Sequence, residues 1–200
     1  MKTNDLESDI KEVVGKTFNA ITDLYNGQNG QTRLIFPHYY DRDGKEGEIR
    51  VSEQELRLLF IEEMTRLHPD WQYSVETPTK KKYRFPENDK PQVCEDGVSA
   101  RFDLTMWVHG KMAAIIEFKA GNARKHDYSK DLCKLANKDE GEKDTLRYFV
   151  NVLEDSTEKT FDNIDDKFKE CKKGKEAIHL WLLSMGIHRQ NNRILKEYKY

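Results

Sequence analysis

The sequence predicts an α/β protein with a central mixed β-sheet flanked by helices and an extra helix at the N-terminus. Three observations carry that expectation. Residues 99–108 and 112–120 are the most strand-like runs in the chain, and His109-Gly110-Lys111 joins them with the length and content of a hairpin connection. Beyond them, strand and helix patterns alternate, an order that feeds a mixed sheet. At the other end, apolar residues recur at helical spacing before any strand signal.

Taken in order, residues 4–25 place Leu6, Ile10, Val13, Val14, Phe18, Ile21 and Leu24 on one stripe. Asn4 with Glu7 fits an N-terminal capping box, and Asn26-Gly27 ends the helix. Gly30, Pro37, Gly44 and Gly47 then mark a loop-rich stretch around the apolar patch Leu34-Ile35-Phe36, with a short strand or none. A second helix starts after Ser52, whose spacing to Glu55 is another capping box, and stops near His68 before Pro69. Residues 71–77 alternate as a strand, with the charged run 80–85 as its continuation. After the hairpin come a helix at 128–137, a strand at 146–153, a helix at 161–171 closed by Gly174, and a strand at 177–185. The basic, aromatic tail 189–200 has no assignable element.

Two hundred residues suffice for one domain with its own core. Charged residues make up 35% of the chain, but the 36% that are hydrophobic fall into periodic segments, which argues against global disorder. With a formal charge of -2 the whole chain has no strong pull on a polyanion, so a nucleic acid would need a local basic face. Cys94, Cys133 and Cys171 are odd in number and far apart, which suits neither a disulfide framework nor a four-ligand zinc site. No apolar run has membrane-spanning length and the polar start lacks a signal-peptide core, so a cytoplasmic protein with no membrane contact is expected.

The chemistry lies on the hairpin. In Ile116-Glu117-Phe118-Lys119 alternate residues share a face, so the two charges point one way and Ile116 and Phe118 the other. They follow the apolar run Ala113-Ala114-Ile115-Ile116, typical of a central strand covered on both sides, where charges cost free energy unless paired or ligated. The partner strand has the same exception at Asp103, between Phe102 and Leu104. On the second helix, Leu56, Phe60, Met64 and Leu67 lie within roughly 60 degrees of Glu53 on a helical wheel, which turns Glu53 inward and Glu55 toward the opposite side. The bland alternatives are a cross-strand ion-pair cluster for Asp103, Glu117 and Lys119, and a dipole-favoured helix acid for Glu53.

Glu53 on a helix, Asp103 entering one strand and Glu117-Phe118-Lys119 on the next resemble the PD-(D/E)xK nuclease superfamily, which includes restriction endonucleases and Holliday-junction resolvases. Phe102 stands where the named motif has proline. The resemblance implies a restriction endonuclease-like core over 51–185, with 1–50 as an N-terminal extension and 186–200 as a basic tail. It further implies Mg2+-dependent hydrolysis of DNA, with Mn2+ able to substitute. Asp103, Glu117 and the Phe118 backbone carbonyl would bind metal, Glu53 would assist, and Lys119 would act on the attacking water.

Three basic groups could follow a nucleic acid: Lys80, Lys81, Lys82 and Arg84; Lys125, Lys130 and Lys134; and Arg189, Arg193, Lys196 and Lys199. Lys82, Tyr83 and Lys130 are the best candidates, although each group is more often a solvated surface. Cutting both strands of a duplex would favour a homodimer, with the first helix as its candidate contact. Two other readings share the scaffold: a ribonuclease, and a catalytically silent module that binds nucleic acid or a partner.

Overall fold

A computed structural model of the chain describes residues 3–27, 32–50, 52–86, 91–171, 176–186 and 194–200. The contacts divide it into two compact units, Met1–Asp70 and Trp71–Tyr200.

The first unit opens with α1 (Thr3–Tyr25). Its stripe Leu6, Ile10, Val13, Val14, Phe18 and Ile21 is buried in the single chain, so the apolar face of this helix is not a free surface for a second copy. Thr17, buried among these residues, donates to the Val13 carbonyl at 2.8 Å. Gly27, at φ +68, stops the helix as the sequence predicts. The Asn4 side chain of the expected capping box, and Gly30, lie outside the described residues. A small antiparallel pair follows, β1 (His38–Tyr40) and β2 (Glu46–Ile49), just past the apolar patch rather than on it. Asp41 closes their turn by accepting from the Asp43 and Lys45 amides at 2.9 and 2.8 Å.

The helix α2 (Glu53–Leu67) has the expected span but a different inward face. Glu55, Leu56, Leu59, Phe60, Glu63 and Met64 are buried, whereas Glu53 and Leu67 are only partly so. A helical wheel that counts apolar residues alone misplaces Glu55, because each buried glutamate has an arginine partner. Arg50 meets Glu55 at 2.6 Å, and Arg66 pairs with Glu63. The capping box is altered too: Ser52 makes no side-chain cap bond to a backbone amide, and its hydroxyl contacts the Glu55 carboxylate instead.

The second unit is a seven-stranded mixed sheet in the order β4-β3-β5-β6-β7-β8-β9. Its strands are β3 (Gln72–Arg84), β4 (Gln92–Val93), β5 (Val98–Val108), β6 (Lys111–Ala120), β7 (Leu146–Leu153), β8 (His179–Ser184) and β9 (Ile194–Lys199). β6, β7 and β8 are parallel and the remaining pairings antiparallel. The parallel steps require crossovers, supplied by α3 (Lys125–Leu135) and α4 (Glu158–Cys171). Tyr128, Leu132 and Leu135 of α3 and Phe161, Ile164 and Phe168 of α4 join Ile115, Phe149, Leu180 and Leu182 of the sheet in one core.

Two segments differ from expectation. The charged run after Thr77 continues β3, with a register break between Pro78 and Lys82 and Glu76 at φ +51. The tail, unassigned from sequence, supplies β9, which pairs with β8 and brings Tyr200 against Phe168. Gly174, Arg189 and Arg193 lie outside the described residues.

Candidate metal and phosphodiester site

β5 and β6 are joined by His109 and Gly110 alone, at φ +51 and +75, so Val108 faces Lys111 directly. A two-residue turn with both centres left-handed matches the twist of the strands, and an irregularity between Met106 and Trp107 shifts their register beyond it. Beyond that shift Thr105 stands opposite Ile115 and Leu104 opposite Ile116. Ile115 belongs to the core under α3 and α4, so Glu117 and Lys119 rise on that same face. Paired strands end at Leu104 and Ile116; just beyond, the Phe118 N–H donates to Asp103 Oδ2 at 2.7 Å.

The structure thus brings Asp103, Glu117 and Lys119 together, and α3 adds two groups that the motif did not include. Lys119 Nζ lies 2.8 Å from Asp131 Oδ2, and Lys134 Nζ lies 2.6 Å from Glu117 Oε1 and 3.0 Å from Asp131 Oδ1. Lys134 also donates to the Arg101 carbonyl at 2.7 Å. Their one sequence signal is position along the inner stripe of α3, which the charge of both side chains masks. Asp131 falls in the buried stripe with Tyr128, Leu132 and Leu135, and Lys134 stands one helical step beyond it. In sequence, Lys134 reads as one of a solvated basic group; on α3 it is 6% exposed.

Burial decides the electrostatics. Glu117 is 1% exposed, and burial, then the neighbouring Asp131 charge, push its carboxyl well above the usual range despite Lys134. Asp103 is raised as well, first by burial, with the Phe118 amide opposing the shift. For Lys134 burial acts to lower the affinity for its proton, but Glu117 and Asp131 outweigh it and the ammonium is held firmly charged. With all three acids ionised, three carboxylates against two ammoniums leave one negative charge in excess. Glu117 Oε1 and Asp131 Oδ2 are buried in ionic contact with an ammonium but without a well-aligned donor.

That donor set fits a hard divalent cation. Magnesium takes one or two carboxylates and leaves its remaining positions to carbonyls, water and phosphate. Asp103, Glu117 and the Phe118 carbonyl are of the right kind, and the surplus negative charge is what a cation would relieve. Among the described residues no three His, Cys, Asp or Glu side chains are already gathered as a metal cage, so protein ligands alone would not complete the coordination.

The other candidates divide. Glu53 is the first residue of α2, in the first unit, and is partly buried. Tyr83 is fully buried, donating to Glu140 Oε1 and accepting from Asn137 Nδ2, both at 2.9 Å, and so has no ring face to offer a nucleic acid. An aromatic beside basic residues suggested a binding cleft, but strand alternation sends Tyr83 inward while Lys82 stays exposed. Lys80, Lys81 and Arg84 are engaged with Gly141, Asp139 and Asp96. Lys130 is partly exposed on α3, where its charge is felt by Asp127.

Compared with known proteins, the chain matches no family model, no curated protein and no solved structure. No helix among the described residues is long and apolar enough to cross a membrane.

Proposed function

We propose that the chain is a divalent-metal-dependent nuclease that hydrolyses phosphodiester bonds, with DNA as its substrate and Mg2+, or Mn2+ in its place, as the metal. The observation that carries this reading is the convergence of Asp103, Glu117 and Lys119 on one face at the end of a buried hairpin, with more acid than ammonium. A surface ion-pair network would not need a carboxylate as deeply buried as Glu117, because pairing rarely repays such desolvation.

Asp103 and Glu117, with the Phe118 carbonyl, would hold the metal, and the Phe118 N–H fixes the Asp103 carboxylate. The metal would polarise the phosphate, acidify a bound water and offset charge on the leaving oxygen. Lys119, oriented by Asp131, supplies an ammonium that aligns the attacking water and stabilises negative charge on the phosphoryl oxygens. Ile115 and Phe149 floor the site on the α3 side and limit the competing water around these charges.

The test is incubation with plasmid, linear DNA, single-stranded DNA and RNA in Mg2+, Mn2+ or EDTA. Cleavage of DNA that requires metal and disappears in Asp103→Ala is the expected result; preference for RNA would change the substrate. Equal degradation by wild type and Asp103→Ala, or no cleavage of any substrate, would overturn the reading.

A further inference from the structure

We infer that Lys134 is a built-in counter-cation that occupies the carboxylate face of Glu117 until a divalent ion displaces it, and so sets the metal affinity of the site. The inference rests on the metal-dependent reading above and concerns a residue that reading does not use.

The geometry is that of a held cation. Three oxygens surround Lys134 Nζ: Arg101 O accepts a hydrogen bond at 2.7 Å, and Glu117 Oε1 at 2.6 Å and Asp131 Oδ1 at 3.0 Å are in ionic contact with it. They come from β5, β6 and α3. The Phe102 ring closes the cage, its centroid 5.7 Å from the nitrogen. The side chain is only 8% exposed, yet it reaches this position from Lys134, next to the last residue of its helix, through a flexible four-carbon stem. Glu117 thus belongs both to the proposed metal set and to this cage.

The two roles conflict. A divalent ion on Glu117 would sit within a few ångströms of the ammonium, and at that range in a partly buried site the repulsion between them is large. Charge balance points the same way: with both lysines in place the three acids are one charge short of neutrality, so a divalent ion takes the cluster from negative to positive. Swinging Lys134 out restores neutrality around the metal. Lys119 need not move, because Asp131 holds it on the α3 side.

Titration calorimetry with MnCl2, on wild type and on Lys134→Met, Lys134→Arg and Asp103→Asn, tests this without measuring cleavage. Removing the internal cation should tighten Mn2+ binding by about tenfold or more. Lys134→Arg should stay near wild type and Asp103→Asn should bind more weakly. Because Lys134→Met leaves the buried Glu117 without its ammonium partner and can unfold the protein, a second measurement uses wild type alone. Acetylation of Lys134, followed by mass spectrometry, should be slow without metal and faster at saturating Mn2+. Unchanged or weaker Mn2+ binding in a folded Lys134→Met, or Lys134 acetylation that does not respond to bound Mn2+, would overturn the inference while leaving the metal site standing. No Mn2+ binding by any of the four proteins would overturn both.

Discussion

Lys134 Nζ stands 2.6 Å from Glu117 Oε1, so the group that neutralises the most buried acid of the second unit's cluster comes from a helix, seventeen residues along the chain, and not from the adjacent Lys119. Lys119 is turned to Asp131 instead. The strand lysine thereby stands beside the acids in the grip of a helix carboxylate, which is the arrangement a water-orienting ammonium needs.

Lys119→Ala should lower the rate of DNA cleavage by roughly 100- to 1000-fold, the usual loss when one preorganised donor is removed. The circular dichroism spectrum should be unchanged. Wild-type cleavage by this variant would remove Lys119 from the chemistry.

Glu117→Gln should abolish cleavage and raise the melting temperature in EDTA. The sign follows from the raised carboxyl: folding favours its protonated form, so that contribution is present below the ordinary carboxylate range and fades as pH rises through the raised value. The stabilisation of Glu117→Gln over wild type should therefore be small at about pH 5 and larger at about pH 7. Scanning calorimetry at both values checks it, and a gap that narrows toward neutral pH contradicts it.

Lys134→Met should cost about 3 kcal/mol in metal-free buffer, because it strands Glu117 as a buried charge and leaves Asp131 with Lys119 alone. On a Glu117→Gln background the same substitution should cost less, since the stranded charge is gone. Urea denaturation of the four proteins reads the coupling; strict additivity would show that the two residues do not share a charge balance.

Tyr83→Phe should lose about 1–2 kcal/mol, since Glu140 and Asn137 are left without their buried hydroxyl partner. Its effect on DNA affinity should be nil. A weakened affinity in a filter-binding assay with unchanged stability would return Tyr83 to the binding surface.

The parts of this fold that local rules determine were the readable ones. The hairpin declared itself through two strand-like runs and a short glycine-containing connection, of which Lys111 proves to belong to β6, and β7 through a mostly apolar run broken only by Arg147 and Asn151. The inward face of α2 was not readable, because Glu55 and Glu63 are buried by virtue of Arg50 and Arg66, and hydrophobic periodicity has no symbol for a neutralised charge. The same limit hid the helix side of the candidate site. Asp103, Glu117 and Lys119 stood out as charges in strands, whereas Asp131 and Lys134 lie on a highly charged helix where an i,i+3 pair reads as ordinary surface. β9 escaped because its strand exists only through pairing with β8, and its alternating charges resemble a solvated tail.

The turn at His109 and Gly110 also implies an order of assembly. A loop of two residues closes far faster than the crossovers that carry α3 and α4, so the two acids are juxtaposed early and Lys134, the ammonium partner of Glu117, arrives only as the helix docks. A methyl group at Gly110 would project into open space, and with φ at +75 the substitution Gly110→Ala imposes only the left-handed backbone penalty of about 1 kcal/mol. If the hairpin is formed in the folding transition state, stopped-flow refolding should slow by up to about fivefold with unfolding hardly changed. Faster unfolding at an unaltered refolding rate would instead make the nascent chain hold its acids apart until the helix is there to receive them.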